Sequence, residues 1–352
     1  MQTLNKGEWA EFYVFIKLLA DGRLYYGDEK MNILPDEYFE IDKILKMRNG
    51  VDQVFYIYDT KIESDTIETD RNDLRESAQR IFDEVTSKNG TFSIEEAEDL
   101  KKILDLERFS EPSKLKADIH LSLIDGITQK SNTYSFSIKT KFKGKSTLIN
   151  ASGKSTGFRY KVDNFDDNLM HTVNSIEGGS KINQRVSKIY ELGGVLSFCR
   201  NTSEIYESNL RVIDTAFDKI IAELMLVAYL ENQKTIHKAI ELKHFYEFYN
   251  HLGLKNVDSI VYKIKNFLYA SAIGMTPSKI WKGSGEVDGG LIIVKNTGDL
   301  IGYFVFSLEK FKEYLWQNTY FETPSTSRHQ FGFIFKEDGE YFFDLNLQIR
   351  FS

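Results

Sequence analysis

Two residues carry the first chemical suggestion: Asp118 in KADIHLSLI and Lys139 in YSFSIKTKFKGK. In the first segment Ile119, Leu121 and Leu123 alternate with Asp118, His120 and Ser122. In the second, Tyr134, Phe136 and Ile138 alternate with Ser135, Ser137, Lys139 and Lys141. Alternation with period two predicts strands with one apolar and one polar face. The stretch between them, from Asp125-Gly126 to Ser131-Asn132, is rich in turn residues, so the strands are expected to pair antiparallel. Folded about the middle of that stretch, Asp118 falls roughly opposite Lys139, both on the polar face. A carboxylate and an ammonium held together on a sheet are the minimum set for metal-dependent phosphodiester cleavage. The carboxylate holds Mg²⁺ and the ammonium sits beside the attacking water and the scissile phosphate. The competing reading is a cross-strand ion pair worth roughly a few tenths of a kcal/mol. The lysines at alternate positions, Lys139, Lys141, Lys143 and Lys145, read equally as a solvated face that blunts edge pairing.

The elements that must position such a pair follow along the chain. GEWAEFYVFIKLLA, residues 7–20, predicts a helix ended by Asp21-Gly22. Its apolar residues cover nearly the whole circumference and leave a narrow polar sector at Lys17. Glu11 projects between Phe15 and Leu18, and a carboxylate there needs a metal or a cation such as a buried Arg or Lys. A strand is expected over 53–58 and helices over 72–86 and 93–107, the latter opened by Ser93 and Glu96 as a capping box. Residues 147–149 and 158–162 read as strands separated by the loop NASGKSTG. From 181 to 267 the pattern is helical, and LRVIDTAFDKIIAELMLVAYL predicts one long helix. His237, His244 and His251 share a face if the helix there is unbroken, but imidazoles two turns apart are too distant for one ion. After Pro277, IIVKNTGDLIGYFVF and FGFIFKEDGEYFFDLNLQIRF predict hairpins, with a short helix over 308–316 between them. The predicted fold is mixed α and β, an α+β chain with a mixed sheet flanked by helices. Three regions are expected: 1–165 as the core with the Asp118–Lys139 hairpin, 166–270 as a helical segment, and 271–352 as a β-rich region.

Composition narrows the class. A chain of 352 residues is long enough for a large core and two domains. With 41% hydrophobic and 14% aromatic residues it is globular. The formal net charge of −7 argues against non-specific wrapping of nucleic acid but allows a locally basic groove. A single cysteine, Cys199, excludes a disulfide framework and points to a reducing, cytoplasmic setting. No leader pattern is expected, since Glu8, Glu11 and Lys17 interrupt the first apolar segment. No membrane span is expected either, because the longest apolar run, 224–230, is too short. The sequence has no CxxC or HExxH pattern for zinc.

Three blocks, GEWAEFYVFIKLLADGRLYYGDEKMN, SFSIKTKFKGKSTLINASGKSTGFRY and TPSTSRHQFGFIFKEDGEYFFDLNLQIRF, together resemble the HpaII-type restriction endonucleases. The likeness runs from the N-terminus to the last residues and is weakest from about 165 to 270. It implies the PD-(D/E)xK nuclease fold, double-stranded DNA as substrate and Mg²⁺ as cofactor. By that resemblance Asp118 is the metal-binding aspartate and Lys139 the catalytic lysine. Ser137 stands where the motif usually has Asp or Glu, as does the family's own SIK segment. The run Lys6-Gly7-Glu8-Trp9-Ala10-Glu11 is similar to the Gly-x-x-x-Glu pattern on the first core helix of many nucleases of this fold. Glu11 is therefore expected as the second metal ligand, with Glu8 or Glu177 next in line. Lys141, Lys143 and Lys145 become a phosphate-facing edge.

Base readout is expected from two polar loops beside that edge. One holds Asn150, Ser152, Lys154, Ser155 and Thr156, with Arg159 just beyond; the other is Ser325-Thr326-Ser327-Arg328-His329. Ordinary turns have the same composition for backbone reasons. The resemblance implies a type II restriction endonuclease cutting a short palindromic, CCGG-like site to leave 5′-phosphate ends. It further implies a homodimer on DNA and a cognate DNA methyltransferase as protective partner. A repair or structure-specific nuclease of the same fold is the nearest alternative. A catalytically inactive DNA-binding protein is another, given Ser137. A β-rich interaction protein leaves Asp118, Glu11 and Lys139 without a role.

Overall fold

The computed structural model describes residues 1–48, 51–109, 117–142, 146–253, 256–329 and 331–352. It is a mixed α/β structure of helices and several sheets, consistent with the expected α+β class. The chain forms two compact units, 1–146 with 285–314 and 147–284 with 315–352. Both are discontinuous in sequence, so their limits do not fall at 165 and 270. The cause is a hairpin near 300 that returns to the sheet of the first unit.

In the first unit, helix α1 (Lys6–Asp21) is opened by a capping box. Asn5 accepts from the Gly7 and Glu8 amides, and Glu8 Oε2 accepts from the Asn5 amide at 2.9 Å. These three bonds satisfy amides at a helix start that lack intrahelical partners. The helix stops at Gly22, whose φ of 65° lies in the left-handed region that glycine tolerates. Trp9, Phe12, Tyr13, Phe15, Ile16 and Leu19 are all buried, which is what an apolar circumference requires. Helix α2 (Arg71–Ser87) packs on it, with Phe82 against Tyr13 at 5.2 Å between ring centroids. The capping box expected at Ser93 and Glu96 does not form. That helix, Glu95–Ile103, has Ile94 at its N-cap, whose apolar side chain cannot accept a bond, and Glu96 pairs instead with Arg80 at 2.8 Å.

Beneath α1 lies a nine-stranded sheet. Its strands are β1 (Arg23–Gly27), β2 (Ile33–Arg48), β3 (Val51–Ile57), β4 (Lys61–Glu63), β5 (Glu68–Asp70), β6 (Ile119–Ile124), β7 (Ser131–Thr140), β8 (Gly290–Val294) and β9 (Leu300–Phe304). Their order is β1-β9-β8-β7-β6-β2-β3-β4-β5, and β1 also pairs with β2, closing a ring. Strands β6 and β7 form the expected antiparallel hairpin. Strand β8 runs parallel to β7, with Leu291 beside Ser137 and Ile293 beside Lys139. On its other side β8 pairs antiparallel with β9, and Gly290 allows that close approach: at φ 135° a Cβ would lie 2.0 Å from the Tyr303 carbonyl oxygen. The core joins Trp9, Phe12 and Phe15 of α1 to Ile44, Leu121 and Phe136 of the sheet. Each such side chain contributes about 1.5–3 kcal/mol on burial.

The second unit holds an antiparallel sheet ordered Val195–Asn201, Gly157–Asp163, Glu340–Asn346, Ile334–Glu337, and a smaller one of Thr147–Ile149, Ile349–Phe351 and Thr319–Phe321. Helices pack around them, but two expectations need correction. The strand Val195–Asn201 interrupts the segment read as helical. The run 210–230 is not one helix: Glu204–Ile213 ends at Asp214, whose carboxylate turns back to cap the Ala216 amide, and Phe217–Leu230 starts anew. His237 lies on Ile236–Ala239 and His244 and His251 on Lys243–His251, so the three do not share one helix. Among the described residues no helix is long and apolar enough to cross a membrane.

Candidate active site

The register of β6 and β7 pairs Ile119 with Phe136. Asp118, just before β6, therefore lies beside Ser137 and not opposite Lys139. Its amide donates to the Phe136 carbonyl at 2.8 Å. The difference is two residues, one full side-chain period, so the polar face is kept. Asp118 Oδ2 accepts from the Ser137 hydroxyl at 2.9 Å and from the Ile138 amide at 2.6 Å. Lys139 Nζ donates to Ser137 Oγ at 2.8 Å. The three side chains thus form one chain of hydrogen bonds from ammonium to hydroxyl to carboxylate. Ser137 links the two residues that the sequence picked out. It is buried, while Asp118 and Lys139 are half-buried.

Glu11 reaches the same neighbourhood from α1. Burial pushes its carboxyl up to about 8, and the Asp118 carboxylate adds to the rise. Lys46 opposes it, Glu8 raises it further, and Lys139 opposes it again. Burial and the Asp118 carboxylate thus both disfavour charge on Glu11, and a cation relieves both effects. Among the described residues no group of three or more His, Cys, Asp or Glu side chains is placed to hold a metal. The donor set is an acid pair. That set fits Mg²⁺, which is commonly held by one or two carboxylates and completes its shell with waters and substrate phosphate.

The fallback acids are engaged elsewhere. Glu8 closes the capping box of α1, and Glu177, in the second unit, pairs with Lys181 at 2.8 Å and Arg185 at 3.3 Å. Lys46 was not legible in the sequence because no strand was read over 33–48. The signal was there: Ile44 and Lys46 are two apart on one strand, and Ile44 faces the core.

The DNA-contact candidates are placed unevenly. Lys141 follows β7 in the first unit, its amide bonded to the Val294 carbonyl at 2.9 Å. Lys143 and Lys145 lie outside the described residues. In the second unit Asn150 and Lys154 are exposed and Ser155 is half-buried. Ser152 and Thr156 build their loop: the Ser152 amide donates to Thr156 Oγ1 at 2.9 Å, and Thr156, fully buried, also donates to Asn346 Oδ1. Arg159 donates from Nε and a terminal nitrogen to Asp344 at 3.0 and 3.2 Å and reaches Glu337 at 2.6 Å. Its guanidinium lies over the rings of Phe335 and Phe342. To read a base it would first have to give up these partners. Thr326–His329 forms a single helical turn, with the Ser325 and Ser327 hydroxyls 3.2 Å apart and the Arg328 side chain exposed. The side chain of His329 lies outside the described residues.

Comparison with known proteins identifies the class. The family model described as HpaII restriction endonuclease matches residues 5–351, and the chain belongs to that family. It is a type II restriction endonuclease, a site-specific deoxyribonuclease. The Type II restriction enzyme HpaII of Haemophilus parainfluenzae is 34% identical over 357 residues, an alignment covering 99% of this chain and 98% of that protein. No solved structure matches the chain.

Proposed function

We propose that the protein hydrolyses double-stranded DNA in a Mg²⁺-dependent reaction through Glu11, Asp118, Ser137 and Lys139, as a nuclease of the PD-(D/E)xK kind. The observation that carries this reading is the hydrogen-bonded chain from Lys139 through Ser137 to Asp118, with Glu11 coupled to it. Asp118 and Glu11 are the residues that would hold Mg²⁺, which when bound polarises the scissile phosphate and acidifies water. The chain's own residues do the rest. Ser137 takes a hydrogen bond from Lys139, so the ammonium is fixed before DNA arrives. From there it orients the attacking water and offsets charge developing on the phosphoryl oxygens. Hydrolysis breaks the bond from phosphorus to the 3′ oxygen and leaves 5′-phosphate ends. Ser137 compensates for the missing acid by orienting its two neighbours.

The site read is short and palindromic, and CCGG-like. Two protomers act on one duplex, because a two-fold site is matched by a two-fold protein. The protein works in the cytoplasm, where a DNA methyltransferase protects the host's own sites. Incubation with supercoiled plasmid tests the reading. Discrete, sequence-defined fragments with Mg²⁺ and none without it are expected. A smear would favour a structure-specific nuclease, and binding without cleavage an inactive DNA-binding protein.

Of the readout candidates, Arg328 is exposed and sits beside two hydroxyls on a one-turn helix. Its planar fork suits guanine O6 and N7 together, a contact worth about 1–3 kcal/mol of discrimination. Arg328→Ala is expected to weaken cognate duplex roughly 10–100-fold and random duplex little. Fluorescence anisotropy on both duplexes checks this; equal losses would make Arg328 a phosphate contact.

A further inference from the structure

Lys46 has no role in the reading above, yet its surroundings are those of a working residue. It is 3% exposed, and an ammonium so far from water must be compensated. Its contacts show where the charge sits. Nζ donates to the Phe109 carbonyl at 3.2 Å and lies 5.4 Å from the centre of the Phe15 ring. Phe15 is four residues after Glu11 on α1, so the two share one face of the helix. Helical side chains lean toward the N-terminus, which carries the Phe15 ring toward Glu11. On the sheet, Lys46 is one residue past the Leu45–His120 pair, on the strand next to the one that Asp118 opens. Lys46 therefore stands on the element neighbouring Asp118 and packs on the helix that carries Glu11.

We propose that Lys46 is a positioning residue of the nuclease site: its buried ammonium keeps the Glu11 carboxylate turned toward Asp118, so that the acid pair is assembled before metal and DNA arrive. This rests on the reading of Glu11 and Asp118 as the acid pair. Left alone, two carboxylates repel, and Glu8 adds to the repulsion at Glu11. A resident cation offsets that repulsion. Of the two lysines that act on Glu11, Lys46 acts more strongly than Lys139. Lys139 is also tied to Ser137, which leaves Lys46 as the cation for the helix side of the site.

The test uses the full chain with four variants, Lys46→Met, Lys46→Gln, Glu11→Gln and the double variant Lys46→Met/Glu11→Gln. Met fills the same volume without charge, and such replacements of buried ions are commonly tolerated. Gln can still donate to the Phe109 carbonyl, so it keeps the fold if Met does not. Two readouts are taken: single-turnover cleavage of supercoiled plasmid with Mg²⁺, and binding of Mn²⁺ alone followed by electron paramagnetic resonance. Both Lys46 variants are expected to cleave about 10–100-fold more slowly, with plasmid affinity unchanged. Mn²⁺ is expected to bind more weakly by a similar factor, and the double variant to be no worse than Glu11→Gln alone. The sign of the Mn²⁺ change is decisive. Removal of a nearby positive charge would by itself tighten a divalent ion, so tighter binding would make Lys46 a mere competitor and overturn the proposal. Wild-type cleavage in both variants, or losses that multiply with Glu11→Gln, would overturn it too. If Glu11→Gln itself cleaves normally, the reading of the acid pair falls, a different result from an inactive Glu11→Gln beside active Lys46 variants.

Discussion

Asp118→Asn is expected to reduce plasmid cleavage by roughly 10³-fold or more while leaving the fold intact. An amide keeps the shape of the carboxylate and can still accept from the Ile138 amide and the Ser137 hydroxyl, the two donors on Oδ2. What it loses is the charge that would hold a cation. Metal assistance to phosphoryl transfer is worth several kcal/mol, and about 4 kcal/mol corresponds to about 10³ in rate. Asp118→Ala is the poorer variant. It strands a backbone donor and a hydroxyl, an additional loss of about 1–3 kcal/mol of stability. Single-turnover rates at saturating Mg²⁺, with thermal melts of both variants, separate the two effects. An Asp118→Asn rate within tenfold of the wild type would remove Asp118 from the chemistry.

Lys139→Ala carries the second large effect, a loss of roughly 10²–10⁴-fold in the rate of the cleavage step. Lys139 is half-buried and donates to the Ser137 hydroxyl. Its removal leaves Ser137 still donating to Asp118, so the β6–β7 hairpin should melt unchanged. Binding of duplex in Ca²⁺ is expected to stay near wild type, since Lys141 and the other basic candidates are untouched. The loss should therefore appear in kcat and not in KM. Full activity of Lys139→Ala would mean that the ammonium serves only as a surface charge.

The hairpin that carries Asp118 and Lys139 was legible because two strands of period two, with one polar face each, leave little choice of pairing. The register was not, since the turn between them, from Asp125 to Lys130, is centred one residue before the middle of the turn-rich stretch, which moves every cross-strand partner by two. That slip concealed what Ser137 does. Glu11 was legible because a carboxylate in an apolar arc demands a partner, whereas Lys46 required knowing that β2 exists and which of its faces turns inward. The unit boundaries were hidden for a different reason. Strand β8 pairs with β7 across well over a third of the chain and β9 with β1 across more than three quarters of it, and no local pattern records partners that distant. Arg159 shows the same limit: beside a polar loop it reads as a DNA contact, but Asp344, its bidentate partner, lies 185 residues on.

Glu11→Gln measured against Glu8→Gln tests the central claim most directly, that cleavage depends on an acid pair drawn from α1 and the β6–β7 hairpin. The two glutamates lie on the same helix within one turn. Glu8 closes the capping box through Asn5, and Glu11 is the one coupled to Asp118 and Lys139. In single-turnover digestion of supercoiled plasmid with Mg²⁺, Glu11→Gln is expected to fall by at least about 10²-fold. Glu8→Gln is expected to cleave at close to the wild-type rate, with melting lowered slightly by a weakened cap. Normal cleavage by Glu11→Gln together with loss in Glu8→Gln would contradict the account and move the second acid one turn toward the N-terminus.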